Sequence, residues 1–237
     1  MSLDSFIERL YAALIEGDRP TARVVVDECY AAGYTAEDAV CDIFWAVHEK
    51  LETLYREDEI SRLNHQTATR LLRVLVDQAA SRYSYREPVG RRVFALCGPN
   101  EGDELCGQMA VDLLEATGFE VVFGGGGVAK DEVLAKVQSE RPDVLLLFGS
   151  GPSDLPAIRE LIDTINEIGA CKGVQIVVGG GVFNRAEGLA EEIGADLWAE
   201  HPLDLADVML EEPERKATAD QRTVGANAPV RPRKKAA

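Results

Sequence analysis

Histidine is scarce in this chain of 237 residues, which has only three, at positions 48, 65 and 201. Cysteine is little more abundant, and its five residues form neither a C-x-x-C motif nor a zinc-ligand spacing. An odd, dispersed set of this kind indicates reduced and mostly buried thiols. The sequence therefore predicts neither a disulfide framework nor a structural zinc site.

Long apolar runs and an excess of positive charge are also missing. No apolar run approaches the roughly 20 residues that a membrane-spanning helix needs. The N-terminus, MSLDSFIERL, predicts an amphipathic helix rather than a signal peptide. The formal net charge of −16 disfavours direct binding to nucleic acid or to an anionic membrane. We therefore expect a cytoplasmic protein without a nucleic-acid or membrane partner.

Common nucleotide and catalytic motifs are absent as well. The glycine run 124–127 is not followed by Lys-Ser/Thr as in a P-loop, and no G-x-G-x-x-G pattern occurs in the first loop of the second domain. The segment 147–150 lacks the Asp of a phosphoacceptor domain, and no Ser-His-Asp or Cys-His set follows from spacing. The sequence predicts no catalytic residue and no protein metal ligand, which gives an enzymatic role no support.

Residues 1–86 show helical periodicity and no strand pattern. Apolar residues recur every three or four positions, and turn signals at 17–20 and 32–35 separate successive helices. A third helix is predicted over about 36–57 and a fourth over about 59–84. Four helices joined by short turns predict a small N-terminal four-helix bundle.

Residues 87–211 alternate between short β-branched runs and helical segments. Strands are predicted at 91–97, 119–123, 144–148, 174–178 and 197–199. Helices are predicted near 104–117, 130–140, 156–168, 185–193 and 203–210. This α/β alternation predicts a flavodoxin-like, doubly wound, parallel five-stranded sheet. The last segment, 212–237, is basic and rich in Pro, Ala and Thr, and it predicts a disordered tail.

Four glycine-bearing loops follow the predicted strands, at 98–107, 124–127, 149–152 and 179–181. The carboxyl ends of parallel strands share one edge of the sheet, where doubly wound folds bind ligands. Glycine allows backbone to approach a flat or bulky ligand closely. The loops together predict a binding rim for a large cofactor.

The first of these loops, from Cys97 to Gly107, reads Cys-Gly-Pro-Asn-Glu-Gly-Asp-Glu-Leu-Cys-Gly. It resembles the lower corrin-binding loop of cobalamin (B12)-binding proteins, Asp-x-His-x-x-Gly. In the first domain, Tyr55-x-x-x-Glu-Ile-Ser followed by Asn64-His65 is similar to the family's Trp-x-x-Gly-Glu-Ile-Ser and Glu-His. A helical bundle followed by a doubly wound domain, over about residues 3–210, resembles the cobalamin modules of methionine synthase, corrinoid methyltransferase proteins and B12 photoreceptors.

The resemblance implies that the helical domain is a cap and that cobalamin binds between cap and sheet, with haem as an alternative tetrapyrrole. The cofactor-binding residues that it implies are Gly102, Asp103, Glu104, Cys106, Gly107, Ser150, Gly151, Gly179, Gly180, Gly181, Tyr55, Asn64 and His65. Separately, the acidic surface without a DNA-binding motif predicts that any regulatory output passes through a protein partner, and whether the chain forms a homo-oligomer stays open.

The loop departs from the family pattern at its functional positions. Gly102 occupies the Asp position and Glu104 the His position, while Gly107 is kept. Shifting the motif by one residue aligns Asp103 but places Leu105 where the His belongs. A carboxylate is a hard oxygen donor and a poor substitute for imidazole at cobalt. The sequence therefore lacks the cobalt-ligating His and disfavours methyl transfer through it.

Structural interpretations of the same residues stay open. Asp103 and Glu104 are also the carboxylates expected in the first turn of a helix, where they favour the positive end of its dipole. Trp45 and Tyr55, ten residues apart on one helix, fit either core packing or a cofactor lid. His65 fits a satisfied helical histidine as well as a ligand contact.

These observations favour a non-catalytic corrinoid- or tetrapyrrole-binding sensor or adaptor that signals through a partner protein. A degenerate B12-fold interaction module without a cofactor is one alternative, supported by the altered motifs. A corrinoid carrier protein of a methyltransferase system is the other: the domain order fits it, but the loss of the cobalt-ligating His counts strongly against it.

Overall fold

The computed structural model describes residues 2–169, 171 and 173–218. The N-terminal domain begins with α1 (Leu3–Glu16) and α2 (Arg19–Ala31). Its long third helix is continuous through α3 (Ala36–Asp38), a π-helical segment (Ala39–Phe44) and α4 (Trp45–Arg56). The last helix is α5 (Arg62–Ala80). The predicted four-helix bundle is confirmed, and we call this domain the cap.

The cap helices begin where polar side chains can bond to free backbone amides. Asp18 accepts from the Thr21 amide at the start of α2, and Thr35 with Asp38 forms a reciprocal capping box. Ser61 accepts from the Asn64 amide and has extended backbone, so α5 begins at residue 62 and not at 59 as predicted. The boundary shifts because the Ser61 hydroxyl accepts the hydrogen bond of an amide that a preceding helical turn would otherwise have bonded.

The second domain contains β1 (Arg92–Cys97), β2 (Glu120–Gly126), β3 (Val144–Phe148), β4 (Gln175–Gly179) and β5 (Leu197–Ala199). The strands pair in parallel in the order β2-β1-β3-β4-β5. The intervening helices are α6 (Glu101–Ala116), α7 (Lys130–Glu140), α8 (Leu155–Ile168), α9 (Gly181–Arg185), α10 (Leu189–Glu192) and α11 (Pro202–Glu211). The flavodoxin-like doubly wound sheet is confirmed.

In the sheet domain, three elements differ from the predictions by more than one residue. The helix expected from 104 begins at Glu101, because Asn100 is extended and the following acidic residues favour the first turn. Strand β2 reaches Gly126, since its pairing with β1 continues past an irregularity to Cys97. The helix expected at 185–193 is two short helices, because Gly188 between them is left-handed.

One continuous core joins the cap to the sheet domain. Buried side chains of the cap, such as Leu51 and Leu72, belong to the same cluster as Leu105 of α6 and Leu146 of β3. A second cluster, which includes Ile162, fills the opposite face of the sheet. Helix α6 therefore lies between cap and sheet, and its first turn adjoins both.

The described end of the chain packs against the amino-terminal side of the sheet. Gln175 donates to the carbonyls of Glu212 and Arg215, and the Ala217 amide donates to Asp196 over 2.6 Å. The predicted tail starts at 212, so its first residues make these contacts, while 219–237 lie outside the described residues. Among the described helices, none is long and apolar enough to span a membrane.

Candidate functional site

Glycine brings the rim loops of the sheet into backbone contact with one another. A Cβ at Gly126 would lie 2.3 Å from the carbonyl oxygen of Gly98, so only glycine fits between β2 and the loop after β1. Gly180 has φ +101°, and a Cβ there would lie 2.5 Å from the carbonyl oxygen of Gly149. The predicted glycine rim thus exists at the carboxyl ends of the strands.

Asp103 links the loops after β1 and β3. It lies in the first turn of α6, where the Asn100 amide group donates to its Oδ2 over 3.2 Å and the Ser150 hydroxyl also bonds to it. A Cβ at Gly98 would lie 2.2 Å from the same oxygen. Burial raises the pKa of Asp103, and these hydrogen bonds offset part of that effect. Asp103 therefore serves the rim itself as a structural cross-link.

The loop after β3 is held from both sides. Asp154 accepts from the amides of Ser150 and Gly151 over 3.0 and 2.9 Å. From α9, the Arg185 guanidinium donates to the Ser150 carbonyl. The predicted residues Ser150 and Gly151 are thus fixed in place beside Gly181, which begins α9.

The cap supplies a carboxylate–imidazole pair next to the loop helix. Glu52 Oε1 lies 2.7 Å from His65 Nε2, and the Tyr55 ring stacks on His65 with centroids 4.3 Å apart. A Cβ at Gly102 would lie only 2.4 Å from Glu52 Oε1. Burial would raise the pKa of Glu52, but the hydrogen bond from His65 and nearby positive charges outweigh it and hold that pKa below its usual range.

Glu104, at the position of the family's cobalt ligand, contacts the cap. Its Oε2 lies 3.2 Å from an Arg73 nitrogen on α5, and Arg73 also donates to the Glu101 carbonyl. Arg70 forms a second ion pair with Glu101 over 2.9 Å. Two arginines of α5 thus hold the first turn of α6, and Glu104 acts as a docking residue in this arrangement.

A cleft of about 410 Å³ separates α4 from the loops after β3 and β4. Its cap wall includes Trp45, His48, Glu49, Glu52, Thr53 and Arg56, and its other wall includes Cys106, Ser150, Gly181, Asn184 and Arg185. We call it the cap cleft. His48 is only 4% exposed, and its Nδ1 is buried without a hydrogen-bond partner. Burial lowers the pKa of His48, which favours the neutral imidazole.

The third histidine connects the sheet domain to the cap. His201, before α11, donates from Nε2 to the carbonyl of Cys41 over 3.0 Å, and its ring meets Trp45 edge-on at 5.6 Å. Cys41 lies in the π-helical segment, whose wider turns change the backbone pairing of the helix. His201 is therefore bonded outside the cap cleft.

The structure brings most of the predicted residues to this region but separates others from the cleft. Cys106, Ser150 and Gly181 line it directly. Gly107 instead allows α6 to approach the rings of Phe123 and Phe148. The Asn64 amide group donates to the Ile15 carbonyl over 3.2 Å, on the α1 side of the cap.

Several residues at the site were not predicted from the sequence, namely Glu52, Arg73, Asn184 and Arg185. The only available signal was helical spacing, because Glu52 lies four residues after His48 and three before Tyr55 on one face of α4. Among the described residues, no group of three or more His, Cys, Asp or Glu side chains is arranged to hold a free metal ion.

Two family models match the chain. A model described as a B12 binding domain covers residues 91–206, and another with the same description covers residues 6–79. The two matches coincide with the sheet domain and the cap, and together they include both walls of the cap cleft.

Known corrinoid proteins are similar in sequence to about half of this chain. "Dimethylamine corrinoid protein 1" of Methanosarcina acetivorans is 29% identical over 106 residues, which are 44% of this chain and 49% of that protein. "Monomethylamine corrinoid protein 1" of Methanosarcina barkeri is 30% identical over 115 residues, 47% of this chain and 52% of that protein. The matched regions thus span about half the length of these curated relatives.

Among solved structures, the monomethylamine corrinoid protein of Methanosarcina barkeri superimposes with a TM-score of 0.73. The superposition covers 89% of this chain and 99% of that one, at 19% sequence identity. At this identity the likeness establishes the shared arrangement of cap and sheet alone.

Proposed function

Because this chain belongs to the family of B12-binding domain proteins, whose cofactor is cobalamin, we propose that it is a non-catalytic corrinoid carrier of a methyltransferase system. The observation that carries the proposal is the position of the cap cleft. It lies between the cap helix α4 and the carboxyl ends of β3 and β4, where doubly wound sheets bind their ligands. The methylamine corrinoid relatives support the carrier role.

The residues around the cleft fit a corrinoid. Glycine at 126 and 180 lets the rim loops pack backbone against backbone, and Gly181 lines the cleft, where a broad ring with amide side chains can lie. The Arg56 and Arg185 guanidinium groups of the cleft offer hydrogen-bond donors for those amides, and Asn184 Oδ1, which has no partner among the described residues, offers an acceptor. When bound, the cofactor supplies a cobalt centre that can carry a methyl group, and this chain binds, orients and shields it.

The cap has to move for this binding. A cleft of about 410 Å³ is within the range of a drug-sized ligand, and a whole corrinoid is larger. The contacts that must rearrange are those of Glu52 with Gly102 and of Arg73 with Glu104. The partly exposed Arg73–Glu104 ion pair contributes little free energy, so its rearrangement costs little.

A second candidate is the corrinoid sensor or adaptor, and it is favoured by one observation. Glu104 stands where the resemblance places the loop His, and it pairs with Arg73 of the cap. The loop therefore has an ion pair to the cap where a cobalt ligand would be. In a sensor, corrinoid binding would release this docking and expose α4 and α5 to a partner protein. In a carrier, the same opening would present the cofactor to a methyltransferase.

A titration followed by gel filtration tests both candidates. The protein is mixed with hydroxocobalamin, methylcobalamin and, in parallel, haemin, and we expect the cobalamins to elute with it. For the carrier, isotope-labelled methyl from the methylcobalamin-loaded protein should reach an acceptor thiol once a corrinoid-dependent methyltransferase is added. Absence of such transfer, together with faster hydrogen exchange in α4 and α5 after loading, would favour the sensor. Elution of the protein without any cobalamin contradicts both.

We also make proposals about the cellular location and the partner protein. The five cysteines are free, which agrees with a reducing compartment, and we propose that the protein acts in the cytoplasm. We also propose that its protein partner is the methyltransferase itself. The same gel filtration reports whether the chain forms a homo-oligomer.

A further inference from the structure

His48 is the only one of the three histidines that lines the cap cleft. We infer that His48 provides the imidazole that the loop lacks and coordinates the cobalt of the bound corrinoid from the cap side. The inference rests on the proposed corrinoid binding. It assigns the ligand role to α4, whereas the family pattern places it in the loop that here carries Glu104.

The other two histidines are engaged elsewhere. His65 Nε2 bonds to Glu52 over 2.7 Å, and its ring is stacked on Tyr55. His201 Nε2 bonds to the Cys41 carbonyl over 3.0 Å. Neither of these residues lines the cleft, so His48 is the histidine whose ring a cleft ligand would meet.

The surroundings of His48 leave a nitrogen without a partner. The residue is 4% exposed, and its Nδ1 is buried with no hydrogen bond. A buried polar atom that lacks a partner carries an uncompensated desolvation cost, and such atoms are rare in folded proteins. A ligand that accepts the imidazole lone pair would remove this cost, because it replaces the lost hydration with a coordinate bond.

The chemistry of the imidazole side chain suits the role. A neutral imidazole keeps the lone pair that a metal requires, and imidazole is a common ligand of late first-row metals. Coordination would be a ligand exchange in which a bond from His48 nitrogen to cobalt forms, a bond from cobalt to a water breaks, and the water leaves to solvent, so no redox partner is needed.

The position on α4 also suits it. Trp45, His48 and Glu52 are three and four residues apart, so they share one face of the helix. The Trp45 ring lies 5.9 Å from the His48 ring and limits its rotation. A ligand held on a helix and oriented by a neighbouring ring is positioned more precisely than one on a loop.

The test uses diaquocobinamide, a corrinoid that has no nucleotide base, so that any nitrogen ligand must come from the protein. The full chain is prepared with ordinary and with nitrogen-15 histidine and is loaded with the cobinamide. An added one-electron reductant then converts the bound cobalt to Co(II), which is observed by electron paramagnetic resonance. We expect nitrogen splitting whose pattern changes with the histidine label. In His48→Gln the splitting should vanish and the affinity for cobinamide should fall by about tenfold or more. His201→Gln should keep the label-dependent splitting.

The outcomes separate this inference from the function proposed above. If neither cobinamide nor cobalamin binds the wild-type chain, the proposed function fails. If cobinamide binds and the nitrogen-15 label leaves the spectrum unchanged, the inference about His48 is wrong while corrinoid binding stands. The labelled wild-type protein shows that a histidine binds the cobalt. Label-dependent splitting that persists in His48→Gln, or that is lost in His201→Gln, would assign the ligand to another histidine and overturn the inference.

Discussion

Glu52 of the cap lies directly against Gly102 of the loop helix, and a Cβ at position 102 would lie 2.4 Å from Glu52 Oε1. The same Glu52 oxygen is bonded to His65. The Asp that the family carries at this position would therefore displace Glu52 and separate it from His65. Glycine at position 102 therefore leaves the space that Glu52 occupies when the cap is docked.

Replacing Gly102 by Asp should destabilise the docked cap. The new side chain overlaps Glu52 Oε1 and adds a second carboxylate beside it, so we expect a loss of about 1–3 kcal/mol in the free energy of unfolding, measured in urea. The intrinsic preference of a helix N-terminus for Asp acts in the opposite direction and is smaller.

Two variants serve as controls for this change. Gly173→Asp makes the same substitution where no atom lies within 4 Å of the new Cβ, so it should change stability by no more than about 0.5 kcal/mol. Glu52→Ala combined with Gly102→Asp should be less destabilised than the sum of the single variants. Strict additivity would mean that the two positions do not interact.

The pair of Arg73 and Glu104 should show weak, salt-dependent coupling. Both side chains are about one-third exposed, so a double-mutant cycle with alanine should give roughly 0.2–1 kcal/mol at low salt. Since salt screens such pairs, the coupling should decline further at about 1 M NaCl. A coupling that is absent at low salt as well would show that Glu104 does not dock the cap.

Asp112 should make stability depend on pH. Burial, with Glu115 and Asp77, raises the pKa of Asp112 to about 6 from its ordinary value of 3.8. The folded state then binds more protons between these values, so stability falls as pH rises through this window. Allowing for solvent screening, Asp112→Asn should be more stable by about 1–2 kcal/mol at about pH 7.5 and equal to wild type near about pH 4.

The Asp112 effect is measured by urea unfolding at both pH values. Asp27→Asn, which removes an exposed carboxylate from α2, is the matched control and should show no such pH-dependent gain. An equal effect of Asp112→Asn at both pH values would mean that the buried carboxyl does not titrate in this range.

The thiols of Cys97 and Cys106 should react slowly in the folded protein. Burial raises the pKa of Cys97 to about 12 and raises that of Cys106 as well, so the thiolate fraction at neutral pH is small. Alkylation with iodoacetamide, followed by mass spectrometry, should modify both far more slowly than in urea-unfolded protein. Equal rates in the two states would show that these residues are accessible.

The fold could be predicted largely from the sequence because its signals are local. Helical periodicity, turn residues and β-branched runs identify each element within a few residues, and βα alternation then limits the sheet to a parallel order. Two of the errors occur where one polar residue decides the start of a helix. Ser61 starts α5 and Asn100 precedes α6, and each position depends on local backbone geometry that periodicity does not report.

The site was predicted less completely because its contacts join distant parts of the chain. The glycine rim follows from local sequence, and so do Ser150 and Gly181. By contrast, Arg73 meets Glu104 only because the cap docks on α6. His48 matters only because its face of α4 is turned toward the sheet domain. Helical periodicity alone does not determine which face that is.

The central claim is that this chain binds a corrinoid without a histidine in its loop. Gel filtration of the protein after incubation with hydroxocobalamin, monitored at the absorption bands of protein and corrin, tests it most directly. We predict that about one cobalamin per chain elutes with the wild-type protein, and that Glu104→Ala retains most of this binding. Elution of the wild-type protein with no corrin absorption would contradict the account.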